Sequence, residues 1–236
     1  MTTVLVTGGT AGIGRAVCER LIAAGRDVVS IDLHPSPLRV KHVQVDLTDE
    51  AATRAAALEI SKAHAITTVI HNAGVIRPAL LPDVKLEDLH ALTNLHLGAA
   101  VTLTQAALPA MKDAGYGRVV LVSSRAVLGL PTRTSYSATK AGMLGMARTW
   151  ALELAPLGIT VNVVAPGPIE TDNFYSVIPR GSAQAEKIAQ AIPVRRLGQA
   201  DDVARAVMFF ADRDAGFITG QVLYVCGGTS VGSLTL

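Results

Sequence analysis

Residues 6–17 read VTGGTAGIGRAV, and the fold turns on how this stretch is understood. It follows a β-branched run, TTVLVT (2–7), and leads into a helix-forming pattern over 12–24. Gly8, Gly12 and Gly14 therefore occupy the turn between a first strand and a first helix. Glycines at these positions allow a tight turn and a close approach of backbone to ligand, so that N–H groups and the helix terminus can meet a pyrophosphate. A glycine-rich turn alone is weak evidence; its context decides.

That context is alternation. Further β-branched runs lie at 27–31, 41–46, 67–71, 117–123, 159–164 and 221–225, with helical patterns at 49–63, 85–112, 134–157 and 200–211 between them. Apolar strands separated by helices predict a parallel sheet covered on both faces. Seven strands without a Pro/Gly/Ser-rich linker predict a single α/β domain over 1–236, a doubly wound Rossmann fold whose ligands bind beyond the carboxyl ends of the strands.

Composition narrows the function classes. With 50% hydrophobic and 17% charged residues, the 236-residue chain can bury a large core. A net charge of +2 gives no argument for nucleic acid or a membrane surface. Cys18 and Cys226 lack disulfide or metal-ligand spacing, and His71, His96 and the other histidines show no metal-ligand pattern, so no metal is expected. No signal-peptide pattern and no apolar run of bilayer-spanning length is visible, which makes a cytoplasmic protein the expectation.

Two further stretches carry chemistry. Asp32 ends strand two, 18 residues after Gly14, where an acidic side chain takes adenosine ribose hydroxyls in such folds. A carboxylate there repels a 2′-phosphate, and Ala11 stands where an arginine would favour one, so NAD is expected over NADP; Arg39 and Lys41 nearby speak the other way. TSYSATKAG (134–142) sets Tyr136 and Lys140 four residues apart at the start of a helix that stops at Pro156 and Gly158, on one helical face.

TGGTAGIG (7–14), HNAG (71–74), TNLHLG (93–98), SS (123–124), YSATK (136–140) and APGPIET (165–171) together resemble the classical short-chain dehydrogenases/reductases, in that family's order and over essentially the whole chain. The resemblance implies catalytic roles for Asn94, Ser124, Tyr136 and Lys140. Tyr136 would be the acid/base. Lys140, sharing its helix face beside a positively charged nicotinamide, would favour the phenolate and lower the tyrosine pKa. A serine after strand five would bond the substrate oxygen. Ser123 and Ser124 both qualify, with Ser124 preferred although it precedes Tyr136 by 12 residues where 13 is commoner. Asn94 matches the family's asparagine that bends its helix and holds a proton-relay water to the lysine.

Cofactor contacts carried over in the same way are Gly8, Thr10, Gly12, Ile13 and Gly14; Asp32 and Leu33; Asp46 and Leu47 beside adenine; Asn72, Ala73 and Gly74; Tyr136 and Lys140; and Pro166, Gly167, Ile169 and Thr171 near the nicotinamide amide. Asp46 is also a candidate cap for the helix near Asp49. The chain departs from the family at Cys226, where an aspartate is common, and in the short connection HPSPLRVKHVQVD between strands two and three.

The variable segment at about 172–198 would form a substrate lid, with Phe174, Tyr175, Val177 and Ile178 as apolar lining. Arg125, Arg133, Arg180, Arg195 and Arg196 are candidates for an anionic substrate, and equally for solvated surface charge. The resulting expectation is an NAD-dependent oxidoreductase of a small-molecule secondary alcohol or ketone. The alternatives are a 3-oxoacyl-acyl-carrier-protein reductase-like enzyme using NADPH, which IPVRRLGQADDVA resembles, and a non-catalytic dinucleotide sensor. A homotetramer is implied by the family, with helices 85–112 and 134–157 at one interface and GGTSVGSLTL (227–236) near another.

Overall fold

The computed structural model describes residues 3–231. Its centre is a seven-stranded, wholly parallel sheet in the order β3-β2-β1-β4-β5-β6-β7. The strands are β1 (Thr3–Thr7), β2 (Asp27–Asp32), β3 (Lys41–Gln44), β4 (Ile66–His71), β5 (Gly117–Val122), β6 (Ile159–Pro166) and β7 (Val222–Val225). β1, β4, β5 and β6 are buried at every residue, as their unbroken β-branched runs require of strands covered on both faces. The strand order reverses between β1 and β4, which opens a crevice beyond Thr7 and His71.

Helices α1 (Gly12–Ala23) and α8 (Ala200–Ala211) cover one face, packing Val17, Leu21, Val203 and Val207 against Val4, Val6 and Val120. Helices α2 (Glu50–Ala63), α3 (Leu86–Thr93), α4 (Ala99–Ala114) and α5 (Thr134–Leu154) cover the other, burying Ile60, Leu92, Leu103, Met111, Met143 and Ala147 over Leu5, Val119 and Val161. One sheet with a core on each face gives a single-domain Rossmann-like fold.

Three local features bear on the site. The helix expected over 85–112 is interrupted: α3 passes into α4 through a π-turn, Asn94–Gly98, in which the Ala99 N–H reaches the Asn94 carbonyl. Such one-turn widenings rotate the side chains that follow and recur at functional sites. The segment 172–198 contains two short helices, α6 (Asp172–Tyr175) and α7 (Ala183–Ala191), capped by the Thr171 and Ser182 side chains. Its base is clamped where the Glu170 N–H donates to the Gly198 carbonyl at 2.8 Å and the Gly198 N–H to the Pro168 carbonyl at 2.9 Å. The stretch from Ser124 to Tyr136 turns at Gly129 and at Thr132, both with positive φ; for β-branched Thr132 (φ 65°) this is a strained conformation. The expected involvement of 227–236 in an interface falls partly on 232–236, which lie outside the described residues.

Candidate active site

Backbone sterics shape the turn after β1. Gly8 (φ 67°) and Gly12 (φ 50°) are left-handed. A Cβ on Gly14 would lie 1.9 Å from the Gly8 carbonyl oxygen and 2.6 Å from Asn72 Nδ2, so only glycine fits. One on Gly12 would stand 3.1 Å from Thr171 Cγ2, which brings the start of the variable segment against the glycine turn. Helix α1 begins after Ala11, which has no side-chain group to cap its leading N–H groups, and no acidic residue occupies its first turn. An open, bare-backbone helix start of this kind fits a pyrophosphate.

Asp32, at the end of β2, is drawn to this turn. Its Oδ2 accepts from the Thr10 N–H at 3.1 Å and the Thr10 hydroxyl at 2.7 Å, and its Oδ1 accepts from the His34 N–H at 3.1 Å. Leu33 beside it is exposed, Thr10 is buried and Ile13 is half-buried against the α1/α8 core. Asp46 does not cap α2: it accepts from the N–H and hydroxyl of Thr48 in a local turn, while Asp49 caps the helix through the Ala52 N–H. The side chains of Leu47 and Ile169 are packed in the two cores.

A polar chain the sequence did not single out fixes the loop after β4. The neighbouring Leu95 carbonyl accepts from His71 Nε2 at 3.1 Å, which leaves Nδ1 to accept from the Thr7 hydroxyl at 3.0 Å. The Thr7 oxygen then accepts from the N–H groups of Asn72 and Ala73, each at 3.0 Å. Asn72 Nδ2 donates to the carbonyls of Thr7 and Gly8 at 3.3 and 3.1 Å, tying β4 to the glycine turn. Burial holds the His71 pKa at about 3, so this histidine is a neutral strut.

Beyond β5, Ser123 and Ser124 part company. Ser123 is buried and donates to the Lys140 carbonyl at 2.8 Å. Ser124 accepts from the Ala126 N–H at 3.1 Å, and its hydroxyl is hydrogen-bonded to that of Tyr136. Tyr136 is half-buried and Lys140 fully so. Lys140 Nζ lies 5.9 Å from the Tyr136 ring centroid and donates to the Val122 carbonyl at 2.8 Å. Burial lowers the Lys140 pKa to about 7. Burial also raises the Tyr136 phenol, opposed by Ser124 and by the charge of Arg133. In the chain by itself, desolvation thus outweighs the lowering of the tyrosine pKa expected from sequence.

Asn94 opens the π-turn, yet its side chain is exposed and donates to the Thr48 carbonyl at 3.3 Å. His96, two residues on, is fully buried and meets the Tyr136 ring edge-on at 5.6 Å between centroids. Pro166 ends β6 and Gly167 follows it, pressed against Cys226: a Cβ there would lie 2.8 Å from the Cys226 Cα. Thr171 caps α6. Arg180 stacks on Tyr175 at 4.0 Å, Arg196 pairs with Asp202, Arg195 donates to the Gln190 carbonyl and Arg125 to the Thr229 carbonyl. Arg133 is the arginine coupled to Tyr136. Among the described residues, no three His, Cys, Asp or Glu side chains converge as a metal site, and no helix is long and apolar enough to cross a membrane.

A bare-backbone phosphate cradle at the switch point, next to a Ser-Tyr-Lys cluster, defines an oxidoreductase built for a nicotinamide dinucleotide. The chain matches the family model described as Enoyl-(Acyl carrier protein) reductase over residues 8–230. It is 36% identical to the (2S)-[(R)-hydroxy(phenyl)methyl]succinyl-CoA dehydrogenase subunit BbsD of Thauera aromatica, over 96% of each chain. It is 34% identical to the 3-oxoacyl-[acyl-carrier-protein] reductase FabG of Escherichia coli K12, over 95% of each. The fold superposes on ElxO with NADP bound at a TM-score of 0.87, with 29% identity, covering 96% of this chain and 98% of that one. The chain belongs to the classical short-chain dehydrogenase/reductase family.

Proposed function

We propose that the protein is an NAD-dependent dehydrogenase of secondary alcohols, or reductase of the matching ketones, with Tyr136 as the acid/base. What carries this reading is the arrangement of Ser124, Tyr136 and Lys140 beyond β5, with the Ser124 and Tyr136 hydroxyls hydrogen-bonded to each other. When bound, a nicotinamide dinucleotide supplies or takes up the hydride. In reduction, the Tyr136 hydroxyl gives its proton to the carbonyl oxygen as negative charge develops there, and Ser124 donates a hydrogen bond to the same oxygen. The Lys140 ammonium, held by the Val122 carbonyl, stabilises the phenolate that remains. In oxidation the proton returns along the same route. Gly8, Gly12, Gly14 and Asn72 form the phosphate cradle, Asp32 receives the adenosine ribose, and the segment at 172–198 closes over the substrate. Asn94 is assigned the helix bend through its π-turn.

The preference for NAD rests on the Asp32 carboxylate, whose charge opposes a 2′-phosphate. The relatives supply a specific second reading. BbsD is a succinyl-CoA dehydrogenase subunit and FabG an acyl-carrier-protein reductase, so a 3-oxoacyl thioester reduced with NADPH competes with a free alcohol. The test is a panel of secondary alcohols, sugars and 3-hydroxyacyl thioesters, offered with NAD⁺ and NADP⁺ in parallel. Turnover of free alcohols with NAD⁺ supports the first reading, and thioester turnover with NADP⁺ alone replaces it with the second. Cofactor binding without turnover of any compound would favour the sensor.

A further inference from the structure

His96 holds an unused acceptor at the heart of the cluster. Its Nδ1 lies 2.8 Å from the Thr139 hydroxyl. That hydroxyl already donates to the Ser135 carbonyl at 2.9 Å, so it accepts from His96 and the proton sits on Nδ1. Nε2 is then left with a lone pair, fully buried, with no hydrogen-bond partner among the described residues. An acceptor stranded in this way costs stability and calls for a partner.

The partner is close. A Cβ on Gly74 would lie 2.9 Å from His96 Nε2 and 3.2 Å from Lys140 Nζ, so both nitrogens stand against this glycine, near enough to each other for one water molecule to reach both. Lys140 uses one of its three N–H donors on the Val122 carbonyl, with Met143 Sδ at 4.0 Å as its other contact. Helical geometry explains the aim. Side chains two positions apart on a helix point in nearly opposite directions, and Asn94 is turned out to Thr48 while His96 is turned in.

We propose that His96 is a positioning residue for Lys140: its unprotonated Nε2 is a fixed acceptor for the lysine ammonium, joined to it by one water molecule beside Gly74. The link holds Lys140 charged and aimed while Tyr136 exchanges its proton, and so rests on the acid/base reading above. The groups facing this spot are His71 from β4, Tyr136 and Lys140 from α5, and Arg133 just before α5. Both ring nitrogens of His71 are committed, to the Leu95 carbonyl and the Thr7 hydroxyl, which leaves His96 Nε2 as the histidine acceptor here.

The test is nuclear magnetic resonance of the full-length protein, labelled with ¹⁵N at histidine and lysine, with Lys140 assigned through Lys140→Met. His96 is expected to carry its proton on Nδ1 and to stay neutral to well below pH 6. In His96→Leu, Lys140 is expected to lose its proton about one pH unit lower, a tenfold change in its protonation constant. In His96→Gln, whose side-chain carbonyl can accept, it should return towards the wild-type value. The basic limb of kcat should move with it while NADH affinity changes less than about threefold. A proton found on His96 Nε2, or a Lys140 titration that His96→Leu leaves in place, overturns the proposal. Should His96→Leu not fold, the wild-type tautomer and the His96→Gln titration still decide it. Loss of all turnover in the wild type would count against the acid/base reading alone, because the titrations need no substrate.

Discussion

At the scale of single residues, desolvation dominates the site. Lys140 is fully buried and its pKa falls from 10.5 to about 7, so between those values the unfolded chain holds a proton that the folded chain has shed. Stability should therefore rise with pH from about 7 to 10, and Lys140→Met should flatten that slope in urea titrations taken at each pH. A slope unchanged in the variant would show that another group sets it. Above about 10 the raised Tyr136 acts in the opposite sense, since the folded chain then keeps the proton longer. Asp32 makes a different test. Replacing it with serine removes the charge while keeping a hydroxyl near Thr10, and should shift the NAD to NADP preference by about tenfold or more, measured as the ratio of kcat/KM values. An unchanged ratio would take Asp32 out of cofactor selection. Sequence pointed to Asp32, Tyr136 and Lys140 because their neighbours in the chain define their places. It could not show Thr7, Thr139 or His96, whose roles come from partners 64 and 43 positions away in the chain.

At the scale of elements, local chemistry explains what was legible and what was not. The buried strands announced themselves through β-branched runs, and α8 through its helical pattern at 200–211; the structure adds the capping box of Gln199 and Asp202. The π-turn at Asn94–Gly98 left no periodic mark, because one extra residue in a turn hardly disturbs an apolar stripe already 28 residues long. Helices α6 and α7 were hidden by their brevity and their mixed polarity. The glycine turn offers the sharpest element-level prediction. Gly14→Ala would drive a methyl into the Gly8 carbonyl, and should cost about 3 kcal/mol or more while abolishing NADH binding, as read by thermal unfolding and by nucleotide fluorescence. A stable variant with wild-type binding would mean that the turn relaxes more readily than its geometry implies.

At the scale of the whole molecule, the parallel sheet sets the crevice and the two helical layers leave apolar surface outside. Leu152 on α5 is 82% exposed and Leu86 at the start of α3 is 63% exposed. These faces are expected to meet second copies, giving a tetramer in sedimentation equilibrium that Leu152→Glu weakens; a wild-type monomer at micromolar concentration would contradict this. The central claim is chemical, however, and its most direct measurement compares wild-type and Tyr136→Phe proteins with NAD⁺ and an accepted alcohol, alongside NADH binding by each. The variant is expected to bind NADH within about threefold of wild type and to lose at least about 100-fold in kcat. A variant that turns over at the wild-type rate would contradict it.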